Sequence, residues 1–223
     1  LANWLVGNGA VTNGSWRSRL YQHLDPWRGL SLRSYAYNGF RLLGSNGVPA
    51  IPKLQQLASK ALPDDNYAVF LLTGLGAAAV PALTNALGAN PYPGSRVQIL
   101  SALGFIGSSS AVPVLITALR DADADVVCAA ARNLGRIHQR PDISVPALLG
   151  AIEHSSLETQ RAAIDALGEF GSDAKEAKAT LETLRTHFVL GVDAQSALKK
   201  LQLPRVDMLE REALTGFYSN GLK

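Results

Sequence analysis

The chain has 223 residues, of which 47% are hydrophobic, 17% charged and 7% aromatic, and its formal net charge is +3. So large an apolar share excludes a disordered tail or linker. The single cysteine, Cys128, excludes an internal disulfide and any multi-cysteine metal site.

Residues 1–30 differ in character from the rest of the chain. Asn8-Gly9 and Asn13-Gly14 are turn dipeptides, Asp25-Pro26 initiates a turn or a helix, and all three tryptophans (Trp4, Trp16, Trp27) fall here. A stack of helices leaves an open apolar end, so these rings are expected to form an aromatic N-terminal cap over it. Charge is also concentrated near the start. Residues 1–60 hold seven Lys/Arg against one acid, whereas the remainder of the chain is net acidic. Arg17, Arg19, Arg28, Arg33 and Arg41, interleaved with aromatic rings, support an alternative reading of this section as an anion- or nucleic-acid-binding surface.

From Ser31 a helical period takes over. Leu32, Tyr35, Ala36, Phe40 and Leu43 recur at helix spacing up to Gly44, which suits a left-handed helix stop. Ala50-Ile51-Pro52-Lys53-Leu54 opens a helix over 48–61, and Asp64 or Asp65 caps its partner, which carries Tyr67, Val69, Phe70, Leu71 and Leu72. One phrase is then written three times: Gly-Ala-Ala-Ala-Val-Pro-Ala-Leu (76–83), Ser-Ser-Ser-Ala-Val-Pro-Val-Leu (108–115) and Asp-Ile-Ser-Val-Pro-Ala-Leu (142–148). Behind each comes a second phrase: Ser-Ala-Leu-Gly (101–104), Arg-Asn-Leu-Gly (132–135) and Asp-Ala-Leu-Gly (165–168). The Val-Pro pairs are 32 and 33 residues apart, a period that marks stacked helix pairs. The pairs are expected over 77–106, 109–138, 142–170 and 172–202. Pro204 closes the array, and 204–223 reads as an amphipathic C-terminal tail that folds back as a cap (Met208, Leu209, Leu214, Phe217, Tyr218).

Each proline is expected in the first turn of its helix, where the missing N–H costs nothing, with a nearby Ser, Gly or Asp as cap. Each Leu-Gly glycine is expected to end the second helix and to let the next repeat approach.

The pieces Ala-Val-Pro-Val-Leu-Ile-Thr-Ala-Leu-Arg-Asp-Ala-Asp (111–123) and Val-Val-Cys-Ala-Ala-Ala-Arg-Asn-Leu-Gly-Arg-Ile (126–137) resemble HEAT repeats, particularly the short bacterial kind called PBS-lyase HEAT-like. The resemblance covers residues 31–203. It implies an all-α, right-handed α-solenoid (an α-α superhelix) of about five to six helix pairs. The family spans scaffolds, chromophore lyases, hydroxylases and DNA-binding proteins, so the resemblance fixes no activity. Val127 stands where the family usually has an arginine, which Arg96 supplies one repeat earlier.

No catalytic constellation emerges. Gly74-Leu75-Gly76-Ala77-Ala78-Ala79 has the glycines of a dinucleotide loop but follows a helix and lacks the later acid, so it is a repeat junction. The four histidines (23, 138, 154, 187) lie in different repeats, and the His-Glu dipeptides of the iron-binding HEAT-like hydroxylases are missing. Cys128 faces the core by periodicity and is read as a small hydrophobe. No cofactor, metal or catalytic residue is therefore assigned.

Two surface features remain. Arg132, Arg136 and Arg140 form an i, i+4, i+8 stripe, and a shift by one repeat sets Asp165 beside Arg132 and Glu169 beside Arg136, as a ladder of ion pairs. Between residues 66 and 119 the only charge is Arg96. The uncharged run 67–89 is broken by Gly74, Gly76, Pro81 and Asn85, and the repeat register explains its apolar residues, so it is not a membrane span. It reads instead as a neutral face for a protein partner, whose interface core is depleted in charge. Phe105 sits in the column that Arg136 and Glu169 hold in the next two repeats; if that column faces solvent, it is an aromatic anchor. The expectation is a non-catalytic protein-interaction scaffold with Gln98, Ser101, Phe105, Arg132 and Arg136 as the contact column. The basic N-terminal section, as a nucleic-acid or anion binder, is the alternative, and an enzyme of the lyase or glycosylase HEAT-like kind is third. The start at Leu1 leaves room for an upstream signal or anchor, so the compartment is open.

Overall fold

Each proline-marked phrase lies in a helix, and each Leu-Gly phrase lies in the longer helix that follows it. The computed structural model describes residues 32–60, 67–154 and 156–202. The aromatic cap expected over 1–30 and the tail over 204–223 lie outside the described residues. All the elements described are helical: α1 (Leu32–Leu43), α2 (Ile51–Ala58), α3 (Tyr67–Gly74), α4 (Val80–Ala89), α5 (Pro93–Ile106), α6 (Val112–Ala118), α7 (Ala124–Ile137), α8 (Pro141–Ala151), α9 (Leu157–Glu169), α10 (Lys178–Leu184) and α11 (Gly191–Leu201). The pairs α2–α3, α4–α5, α6–α7, α8–α9 and α10–α11 follow the sequence period, the arrangement of an α-solenoid. The chain divides into two compact units, Leu1–Val114 and Leu115–Lys223, and α6 straddles the division.

In the first unit α1, α3 and α5 pack in one row, and α2 and α4 pack behind them in another. Helix α3 is central to both rows, which is why five of its eight residues (Ala68, Val69, Leu71, Leu72, Gly74) are buried. Leu72, Leu83, Leu100 and Leu103 are fully enclosed between the rows; each contributes about 1.5–3 kcal/mol by burial. A side-chain amide ties neighbouring pairs together. Asn90, buried just past the end of α4, donates from Nδ2 to the Ala58 carbonyl at the end of α2 (3.0 Å), and its Oδ1 accepts from the Tyr92 backbone N–H (3.0 Å).

In the second unit α7, α9 and α11 form one row, and α8, a 3₁₀ segment (Gly171–Ala177) and α10 lie behind it. Asp123 caps α7 by accepting from the Asp125 and Val126 N–H groups, and Ser156 caps α9 by accepting from Thr159 N–H. The first turns of α7 and α9 are tied by the Thr159 hydroxyl, which donates to the Ala124 carbonyl (3.4 Å).

Three local expectations are corrected. The glycines of the Leu-Gly pairs do not end their helices: α5, α7 and α9 run on past Gly104, Gly135 and Gly168, and α5 and α7 stop at the left-handed residues Gly107 (φ 69°) and His138 (φ 52°). Gly135 and Gly168 do provide the expected close approach, since a β-carbon on either would sit within 3.0 Å of an α-carbon of the next helix in the row. Pro146 is not in a first turn, because α8 already begins at Pro141 and runs straight through it. The other prolines keep their expected place, but α2, α4 and α10 have no side-chain cap. Their first turns are entered from a 3₁₀ segment, and in the third pair Ser108 caps that segment by accepting from Ser110 N–H.

Candidate functional site

The longer helices carry the residues singled out by sequence. On α5, Gln98, Ser101 and Phe105 fall on one stripe because they are spaced three and four apart. That stripe meets α3, and α3 meets α1 through Gly74, where an added β-carbon would lie 3.0 Å from the Tyr37 carbonyl oxygen. The result is a shallow groove of roughly 330 Å³ across α1, α3 and α5, lined by Tyr37, Val69, Phe70, Thr73, Gln98, Ser101, Ala102 and Phe105. Val69 and Ala102 are buried in its floor. Phe70 and Phe105 line it while remaining 39% and 53% exposed. The Tyr37 and Phe70 rings lie 4.8 Å apart, tilted by 34°.

None of the eight lining residues carries a formal charge. Two of the three polar aliphatic ones turn inward on their own helices: Thr73 Oγ1 donates to the Val69 carbonyl and Ser101 Oγ to the Val97 carbonyl, both at 2.9 Å. What they present to the groove is therefore more apolar than their names suggest. Arg96 is held on the loop before its helix, donating from its guanidinium to the Asn90 and Pro91 carbonyls (3.5 and 3.3 Å).

Arg132 and Arg136 lie exposed on α7, in the second unit. Arg140 does not extend their stripe. It follows the end of α7, adopts φ 52°, and forms a two-pronged pair with Asp142 (3.2 and 3.0 Å) that holds the Asp142 carboxyl below the usual carboxylate range. For Arg132 the register of the ion pair also differs from the expected one. Arg132 reaches Glu158 (3.9 Å) rather than Asp165, Glu169 is gripped by Lys200 (2.6 Å) and faces His138 (3.8 Å), and Arg161 reaches Asp193 (3.2 Å). A ladder between neighbouring helices is present: Arg161–Asp193 and Glu169–Lys200 lie about one repeat apart, while Arg132 leans off its equal repeat position toward Glu158. Asp165 feels Arg132 only as the weakest of several charges; desolvation dominates and pushes its carboxyl up.

Of the alternative anion-binding set, Arg17, Arg19 and Arg28 lie outside the described residues. Arg33 belongs to α1, and Arg41 is exposed in its last turn. Cys128 is buried on α7 with its Sγ 3.8 Å from the Glu158 carbonyl, and burial pushes the thiol up. Among the described residues no three His, Cys, Asp or Glu side chains are grouped to hold a metal, and no helix is long and apolar enough to cross a membrane.

Two overlapping stretches, residues 51–135 and 112–199, match the family described as HEAT repeats, together about two thirds of the 223 residues. The chain belongs to the HEAT-repeat family. HEAT repeats generally mediate protein–protein interaction. No curated protein matches the chain.

Tyr37 and Phe70 were missed as groove residues because their helices read as core. A signal was available: they stand 33 and then 35 residues apart from each other and from Phe105, about one repeat each time.

Proposed function

We propose that this HEAT-repeat chain is a non-catalytic interaction scaffold that receives a protein partner on the exposed side of its longer helices, with Gln98, Ser101 and Phe105, and on α7 Arg132 and Arg136, as contact residues. The observation that carries the reading is the groove. Half-exposed aromatic rings beside buried aliphatic floor residues, with no charge among them, have the composition of an interface core. An enzyme active site would instead gather an acid, a base and a nucleophile.

The test is site-specific photocrosslinking. A benzoylphenylalanine placed at Phe105 should give discrete protein adducts on illumination in an extract of the source cells, and the same group at Asn85, exposed on α4, should not. Equal labelling from both positions, or none from Phe105, removes the reading.

A further inference from the structure

The turns inside the helix pairs carry a hydrogen-bond acceptor at a fixed place. Asn90, Asp121, His154 and His187 stand 31, 33 and 33 residues apart, each in the turn between the shorter and the longer helix of its pair. In each turn the side chain accepts from the backbone N–H two residues on. Asn90 Oδ1 accepts from Tyr92 (3.0 Å), Asp121 Oδ1 from Asp123 (2.9 Å) and His154 Nδ1 from Ser156 (3.0 Å). His187 Nδ1 accepts from both Val189 and Leu190 (3.3 Å each). We infer that the two histidines make the entry turns of α9 and α11 an acid-sensitive device, which loosens as the imidazoles take up protons.

The acceptor changes in kind along the array. The amide oxygen of Asn90 does not titrate, and the carboxyl of Asp121 keeps an acceptor oxygen in either protonation state. A ring nitrogen accepts only while it carries no proton. Protonation turns Nδ1 into a donor aimed at the Ser156 N–H, or at those of Val189 and Leu190, so that donor faces donor. The folded turn therefore holds the imidazole neutral, whereas the unfolded chain takes the proton freely. Stability contributed by these turns is present above about pH 6.5 and is lost as the pH falls below it.

Nothing charged offsets the loss. Among the described residues no charged side chain lies within ion-pairing distance of either ring. Of the charges on the adjoining helices and turns, Glu158 pairs with Arg132 and Arg161, Glu182 with Arg185, and Asp193 with Arg161. Asp121 and Asp123 accept from backbone N–H groups, and Arg120, Glu153 and Lys178 are exposed. His154 is half-buried and His187 exposed, so the turn before α9 has the more to lose.

NMR on the full chain, between about pH 7.5 and about pH 5.5, tests this. At the upper end the ¹⁵N shifts should show Nδ1 as the bare nitrogen of both rings, with the proton on Nε2. Toward the lower end the Ser156, Val189 and Leu190 amides should lose about tenfold in protection from hydrogen exchange, corrected for the intrinsic rate, while Tyr92 and Asp123 keep theirs. The melting temperature should fall by about 2–4 °C for each turn. His154→Asn and His187→Asn together copy the Asn90 turn and should remove that part of the fall, whereas His154→Ala should leave the Ser156 amide poorly protected at both ends. A proton on Nδ1 at the upper end, unchanged protection of Ser156 and Val189 across the range, or a paired substitution that loses as much as the wild type overturns the inference.

Discussion

Gly135 faces Ala166 so closely that a β-carbon on the glycine would lie 2.7 Å from the alanine's α-carbon. The atoms in the way are backbone and a short side chain, so nothing flexible can yield. Gly168 repeats the relation one helix on, with Ala197.

Gly135→Ala should therefore destabilise the protein by about 1–3 kcal/mol through overpacking, even though alanine is the better helix former. Gly88→Ala is the control, because Gly88 lies in α4 with nothing within 4 Å of its added β-carbon; that change should stabilise by about 0.5–1 kcal/mol. Urea denaturation of both variants checks the opposite signs, and a stabilised Gly135→Ala would show that α7 and α9 can separate freely.

Asn90→Ala leaves the Ala58 carbonyl without the amide that reaches it across a repeat. The site is buried, so the expected loss is about 1–3 kcal/mol. Asn90→Asp should do no better, since a carboxylate has no N–H to donate. Thermal melting of both variants is the measurement, and an unperturbed aspartate variant would mean that the bond contributes nothing.

Asp165 supplies the pH test. Desolvation raises its carboxyl first, Asp193 and Glu169 push the same way, and Lys200 and Arg132 oppose. A carboxyl raised on folding binds its proton more tightly in the folded chain, so stability falls as the pH rises from about 3.9 through the raised value. Asp165→Asn removes that fall. It should gain less than about 1 kcal/mol at pH 7, because solvent screens a half-exposed group, and nothing near pH 3. Melting temperatures of the two proteins across that range should converge at the acid end; a gap independent of pH would assign the effect to packing.

Much of the fold was legible because a solenoid repeats its reasons: Val80-Pro81 and Val112-Pro113 mark helix starts, and the interval between them sets the pairing. What escaped was set by neighbours. The close approach at Gly135 was expected, but that its helix runs on to His138 could not be told from a Leu-Gly pair, and Pro146 reads like Pro81 until Pro141 is seen to start the helix earlier. Arg132 was assigned to Asp165 by equal repeat position, but its long side chain leans toward Glu158. The groove was half legible. An uncharged window pointed to Gln98, Ser101 and Phe105, whereas Tyr37 and Phe70, on helices dense in apolar residues, looked no different from core.

The inward-turned hydroxyls of Thr73 and Ser101 have a thermal consequence. An association made at such a face draws little from ions and nothing from those two hydroxyls, and the attraction between apolar surfaces weakens on cooling. Contacts made in that groove should loosen in the cold and respond little to added sodium chloride, whereas any made by Arg132 and Arg136 in the second unit, where Arg132 lies in an exposed pair with Glu158, should weaken as ionic strength rises.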